Sequence, residues 1–250
     1  MFGPDAVPSP EDGGAPSSQD GGVGRAPFNL LWNILLGVVM SVLAAIGAWG
    51  ALGVKHEFYF VDSEGFGIGM GAPNEARLKL FAEQARILGL NAMVTFAIAG
   101  GLLGVGIAVA GASCCGSIVK IIVGAVWGTA WGGCSGYLGS KAFNAIIQYG
   151  TQAEAMQSGL AHGAAFAILG AGIGLMYGGF HRDLGTMAQG LIVGAIAGLL
   201  GGIGFSAAGV FIPTQSTENM LPTDAMVRLL WLMIPLAFIG LLLPSLIRKK

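Results

Sequence analysis

Phe96-Ala97-Ile98-Ala99-Gly100-Gly101-Leu102-Leu103-Gly104 and, 70 residues on, Phe166-Ala167-Ile168-Leu169-Gly170-Ala171-Gly172-Ile173-Gly174 share an opening Phe-Ala-Ile and two glycines at matching positions. The same offset carries Ile122-Val123-Gly124-Ala125 onto Ile192-Val193-Gly194-Ala195, and Gly128 and Gly132 onto Gly198 and Gly202. Laid together without a gap, residues 89–136 and 159–206 agree at 13 of 48 positions, more than a Gly/Ala-rich composition gives by chance. Each copy is an apolar stretch, a short turn and a second apolar stretch. The chain therefore reads as a duplicated two-helix membrane hairpin.

The surrounding composition agrees with a membrane setting. Of 250 residues 54% are hydrophobic and only 10% charged, with a mean hydropathy of +0.73. One soluble domain of this length cannot bury so much apolar surface, so the chain is expected to be a polytopic membrane protein. A hydrocarbon core of about 30 Å takes roughly 20 apolar residues to cross as helix. Six stretches qualify, at about 28–52, 91–112, 118–140, 161–180, 187–211 and 226–247. The expected fold is all-α: a bundle of six transmembrane helices, with a membrane domain over 27–250 and repeat units at about 74–140 and 144–210. Because each unit holds an even number of spans, the copies keep one orientation and their axis runs along the membrane normal. Pro235 and Pro244 are expected to kink or end the sixth span. A formal charge of −1 offers no basic field, so nucleic acid is not expected as a partner.

Residues 1–26 are Pro, Gly, Ser, Asp and Glu with almost nothing to bury, the composition of a disordered acidic tail. A secretory leader would open on positive charge and a short apolar run. Here the first apolar run starts at Phe28 and is as long as a span, so it reads as a retained first helix. Arg25, Lys120, Arg182 and Arg248-Lys249-Lys250 fall on one side of a six-span arrangement, which places both termini in the cytoplasm. Lys55, Arg77, Lys79 and Arg86 oppose this, but they share a long loop with compensating acids and weigh less. Cys114-Cys115 sit in the turn before the third span and Cys134 roughly 24 Å along it, so no internal disulfide is expected.

Gly124, Gly128, Gly132 and Gly136 recur every fourth residue on the third span, and Gly190, Gly194, Gly198 and Gly202 do so on the fifth. Lipid gives helices little hydrophobic reason to associate, so close approach across small residues does much of the work. With Gly100 and Gly104 on the second span and Gly170 and Gly174 on the fourth, these ridges are expected to specify a tight four-helix core between separate first and last spans. At offset 70, Gly128 and Gly198 become equivalent packing positions. A groove or pore, with room for a ligand or lipid, is the other use of such ridges.

Ahead of the second span, Leu78, Phe81, Ala85 and Leu88 recur at helical spacing, and Glu75 can meet Lys79 at i, i+4. After Pro73 and the run Phe58-Tyr59-Phe60, residues 74–90 read as a helix lying in the membrane interface. A weaker counterpart falls at 144–160, where Ala155, Gly159 and Leu160 match Ala85, Gly89 and Leu90.

No Asp or Glu falls inside a predicted span, which counts against proton- or sodium-coupled transport. Asn33, Thr95, Thr129 and Ser135 are the main polar side chains at depth, and hydrogen bonds to helix backbones account for them. His162 and His181 bracket the fourth span about 28 Å apart, too far to share a metal or haem. No cofactor and no metal are expected. Ser135 and His162 face across one loop on the same side of the membrane. Gly133-Cys134-Ser135-Gly136 is similar to the G-x-S-G string of rhomboid intramembrane proteases, and Ala161-His162-Gly163 is similar to their histidine helix. The resemblance implies a nucleophilic Ser135–His162 pair. In that family, however, the serine begins its span and the histidine lies two spans later, and its oxyanion-stabilising residues have no counterpart here. Ser135 falls inside a glycine ridge, so the expectation is that no residue is catalytic.

These features point to a non-enzymatic helix-packing or subunit-type protein. Its expected partners are the lipid bilayer and a second copy of itself or another membrane protein. A channel or transporter for a small molecule, ion or lipid at the repeat interface is the alternative, and an intramembrane serine hydrolase a remote one. A dry interface favours the first and a water-filled cavity the second.

Overall fold

The computed structural model describes residues 26–53, 59, 74–112, 118–149, 154–180, 183–209, 211, 220–222 and 224–246. Their regular elements are all helices: α1 (Ala26–Gly53), α2 (Asn74–Ala112), α3 (Ile118–Tyr149), α4 (Glu154–Gly179), α5 (Leu184–Gly209) and α6 (Ala225–Leu246). Each is long and apolar enough to cross a membrane, which makes the chain a multi-pass integral membrane protein with an all-α bundle fold. The acidic tail, Lys55, Cys114-Cys115, His181, Arg25, Arg182 and Arg248-Lys249-Lys250 lie outside the described residues.

Every helix packs on the one before it, and α6 returns to pack on α1, so the six close a ring. Across the middle, α2, α4 and α6 also touch one another. These three are the inner helices: 50–67% of each span is buried, against 22–39% for α1, α3 and α5. The outer three turn large apolar side chains outward, among them Leu35, Leu43, Ile122, Val126, Ile192 and Ile196, as lipid-facing helices do. This corrects the expected four-helix core flanked by a separate first and last span. The sixth helix is inner because its apolar face packs inward: Trp231, Leu232, Leu236, Ile239 and Leu243 all have at most 1% of their surface exposed.

At the centre, Phe96 of α2, Phe166 of α4 and Trp231 of α6 meet as a triangle of rings, with centroids 5.2, 5.2 and 5.4 Å apart. Such tilted and edge-on contacts are the preferred aromatic geometries. Towards the helix C-termini, Leu103, Ile107, Leu169, Ile173, Leu236 and Ile239 continue the fully buried packing. The described part of α6 contains both Pro235 and Pro244. Gly201 of α5 makes room for Pro235, and Gly37 of α1 for Pro244.

Residues 74–90 are not a separate interfacial helix but the opening turns of α2, and 144–160 holds the end of α3 and the start of α4. An unbroken helix keeps every backbone hydrogen bond. Gly89, the natural place for a break, instead lies against Ser140 and Tyr137 of α3. The α2 helix begins 22 residues before Phe96, whereas α4 begins 12 before Phe166. At 1.5 Å per residue, α2 reaches about 15 Å further at the end of the bundle away from the chain termini, here the distal end.

Candidate functional site

The ridge glycines of α3 all face α2. A Cβ added to Gly124, Gly128, Gly132 or Gly136 would run into the carbonyl oxygen of Gly104, Gly100, Phe96 or Ala92 respectively. On α5, Gly190, Gly194, Gly198 and Gly202 stand in the same way against Gly174, Gly170, Phe166 and the His162-Gly163 backbone. In the glycines a hydrogen occupies that direction and points at the facing carbonyl. Such Cα–H···O contacts are worth about 0.5–1 kcal/mol each. Gly100 with Gly128 and Gly170 with Gly194 make them reciprocally. Each ridge thus meets its own hairpin partner; the two ridges do not meet each other.

The partners also correct the expected equivalence of Gly128 and Gly198. Gly100 faces Gly128, but Gly170, its counterpart 70 residues on, faces Gly194; Phe96 faces Gly132, and Phe166 faces Gly198. Gly89 lies beside Ser140, and Gly159 beside Ser206. The first helices of the hairpins correspond at offset 70, the second helices at 66. The physical reason is the ridge: offset 66 lays all four glycines of α3 on all four of α5, whereas offset 70 sets Gly190 against Lys120 and Gly136 against Ser206.

Between the hairpins the chemistry changes. Trp127 and Trp131, stacked with centroids 6.1 Å apart, donate their indole N–H groups from α3 to Gly172 O and Ile168 O of α4, at 2.9 and 2.7 Å. Gly172 is small because the Trp131 ring fills its side-chain space. At the distal end Trp49 of α1 donates to Ala225 O, at 2.7 Å. Arg228, 7% exposed, donates to Pro222 O at 3.0 Å and to Leu52 O in the last turn of α1 at 3.5 Å. A cation at a helix C-terminus satisfies orphan carbonyls and suits the helix dipole. Asp224 caps α6 by accepting from Met226 N and Val227 N, at 2.9 and 3.0 Å. Asn91 pairs with the backbone N–H and C=O of Tyr59, both at 3.0 Å, fixing that point of the first loop on α2. None of these anchors was singled out from sequence. Two indole donors one turn apart inside a span, and an arginine within the sixth, were the available signals.

Ser135 and His162 are not brought together. The buried Ser135 hydroxyl donates to Gly132 O of its own helix at 2.8 Å. His162, 1% exposed, stands edge-on between the Phe143 and Phe205 rings, its Nδ1 2.9 Å from Ser158 O and 3.4 Å from the hydroxyls of Ser158 and Ser206. It ties α4 to α5. Among the described residues no three His, Cys, Asp or Glu side chains gather as metal ligands would. No protein family, curated protein or solved structure matches the chain.

Proposed function

We propose that the protein is a non-enzymatic, non-conducting membrane subunit that acts through its lipid-facing rim, towards the bilayer and towards a second copy or another membrane protein. The observation that supports this reading is the sealed centre. At the centre of the bundle Phe96, Phe166 and Trp231 fill the space between the inner helices, and buried Leu103, Ile107, Leu169, Ile173, Leu236 and Ile239 continue the packing. A path for an ion or polar solute would need polar groups or water there. The ridge glycines are spent on contacts inside each hairpin, and Ser135 lacks the hydrogen bond to a base that a serine nucleophile needs.

Reconstituted into liposomes, the protein should raise neither ion nor small-solute leakage above that of empty vesicles. Protein-dependent flux that disappears on heat denaturation would overturn the reading. Both termini are assigned to the cytoplasm, since six crossings return the chain to its starting side and Lys120 stands at that end. A reporter active only in the cytoplasm, fused after Lys250, should be active; an intact but silent fusion refutes the assignment.

A further inference from the structure

The distal projection of α2 and α3 encloses a cleft of about 430 Å³ whose walls include Arg86, Tyr137, Lys141, Asn144 and Tyr149. Below it, between α1, α2 and α3, runs an apolar groove of about 650 Å³ floored by small residues: Gly47 and Ala51, Ala97 and Gly101, Ala125 and Thr129. The two adjoin along one side of α2, because Gly89 lines the cleft and Met93, one turn on, lines the groove.

Their depths follow from counting along the helices. Gly132 of α3 stands level with Phe96. Lys141 is then about 14 Å and Arg86 about 15 Å to the distal side of the aromatic triangle, at 1.5 Å per residue. On the same scale Asp224 lies about 10 Å distal of Trp231, and Lys120 about 18 Å to the other side of Gly132. The slab between those last two is about 28 Å, the thickness of a hydrocarbon core, and the cation within it, Arg228, is buried against the carbonyls of Pro222 and Leu52. Arg86 and Lys141 therefore stand just beyond its polar boundary, with Tyr137 at about 8 Å where interfacial aromatics belong. The groove starts at Met93, about 4 Å distal of the aromatic triangle, and runs about 18 Å across the middle of the slab to Val105, length enough for one acyl chain.

The charges are available to a ligand. Glu83 accepts from Arg86 Nε and Nη2, at 2.8 and 2.6 Å, which leaves Nη1 pointing elsewhere. Lys141 Nζ rests 5.0 Å from the centre of the Tyr137 ring and has no carboxylate partner among the described residues. Two cations against one carboxylate leave the cleft net positive. We propose that this cleft binds the phosphate of an anionic phospholipid, with one acyl chain lying in the groove. Lys141 supplies a point charge and Arg86 a directed donor, the pairing that phosphate recognition uses. The small side chains of the groove admit the chain.

The test uses the whole protein, purified in mild detergent and examined by native mass spectrometry after incubation with phosphatidylglycerol, with phosphatidylcholine of the same chains, or with phosphatidylglycerol plus excess inorganic phosphate. The wild type should retain phosphatidylglycerol in preference, and phosphate should not displace it. The Arg86→Gln/Lys141→Gln double variant should lose about tenfold in retention while melting as the wild type does, since both side chains are exposed. Lys141→Arg should keep it. Ala51→Trp, at an exposed position remote from both charges, should lower retention by filling the groove. Equal retention of the two lipids, undiminished retention in the double variant or in Ala51→Trp, or displacement by phosphate alone, which would mark a site for free anions, would each overturn the proposal.

Discussion

The α2–α3 and α4–α5 hairpins mesh alike and end differently. In both, four glycines at every fourth position press against the backbone of the preceding helix, so the helices approach as closely as their carbonyls permit. At the distal end the first hairpin carries buried Ala92 where the second carries His162, and it continues outward as two packed helices with Arg86 and Lys141 on their surface. The second closes over His162, Ser158 and Ser206. Meshing is thus set by glycine spacing along each helix, and the ends are free to diverge. A third antiparallel pair, α1 with α6, repeats the theme with Gly37 against Gly240 and completes the ring.

The harshest way to break the comparison is to fill a seam. Gly128→Leu and Gly194→Leu, now equivalent by position, should each cost about 3 kcal/mol or more, because the facing carbonyl is backbone and cannot yield. Thermal melting in detergent checks it, and a large loss in one hairpin but not the other would end the equivalence. Register is sharpened by cross-linking in a cysteine-free background. Gly159→Cys with Ser206→Cys should oxidise readily, since an added Cβ at 159 falls 3.7 Å from that of Ser206, within the disulfide range.

How far the chain itself reveals this structure depends on which force acts. The six spans and their all-helical character were legible because hydrophobic length is a property of each segment alone. The ridges were legible as spacing, but the partner of each glycine was not: identity of Ile122-Val123-Gly124-Ala125 with Ile192-Val193-Gly194-Ala195 favoured offset 70, whereas packing follows the full run of glycines. The inner position of α6 was hidden because apolar residues facing lipid and facing protein look alike in sequence. Trp127, Trp131 and Arg228 were passed over because their partners are backbone carbonyls, which carry no sequence signal at all.

A smaller effect is expected where the hairpins touch each other. Trp131→Phe keeps most of the ring volume and removes the hydrogen bond to Ile168 O, so it should cost about 0.6–1.7 kcal/mol, the range for interhelical hydrogen bonds in membranes. A loss as large as that of Gly128→Leu would mean that the α3–α4 contact, rather than the glycine seams, holds the bundle together.

The smallest effect belongs to Ser135, and it separates a packed hydroxyl from a reactive one. Its Oγ donates to Gly132 O within α3, a bond that Ser135→Ala removes together with the group that needed it, so neither partner is left as a new buried orphan beyond an already helix-bonded carbonyl. Stability should change by less than about 0.5 kcal/mol. The same variant tests the nucleophile, because a serine hydroxyl without a neighbouring base is a weak one. A fluorophosphonate probe should label neither the wild type nor Ser135→Ala. Labelling of the wild type that vanishes in both Ser135→Ala and His162→Ala would require the α3 and α4 ends to move until those side chains meet, and would turn the buried polar knot of the second hairpin into part of an active site.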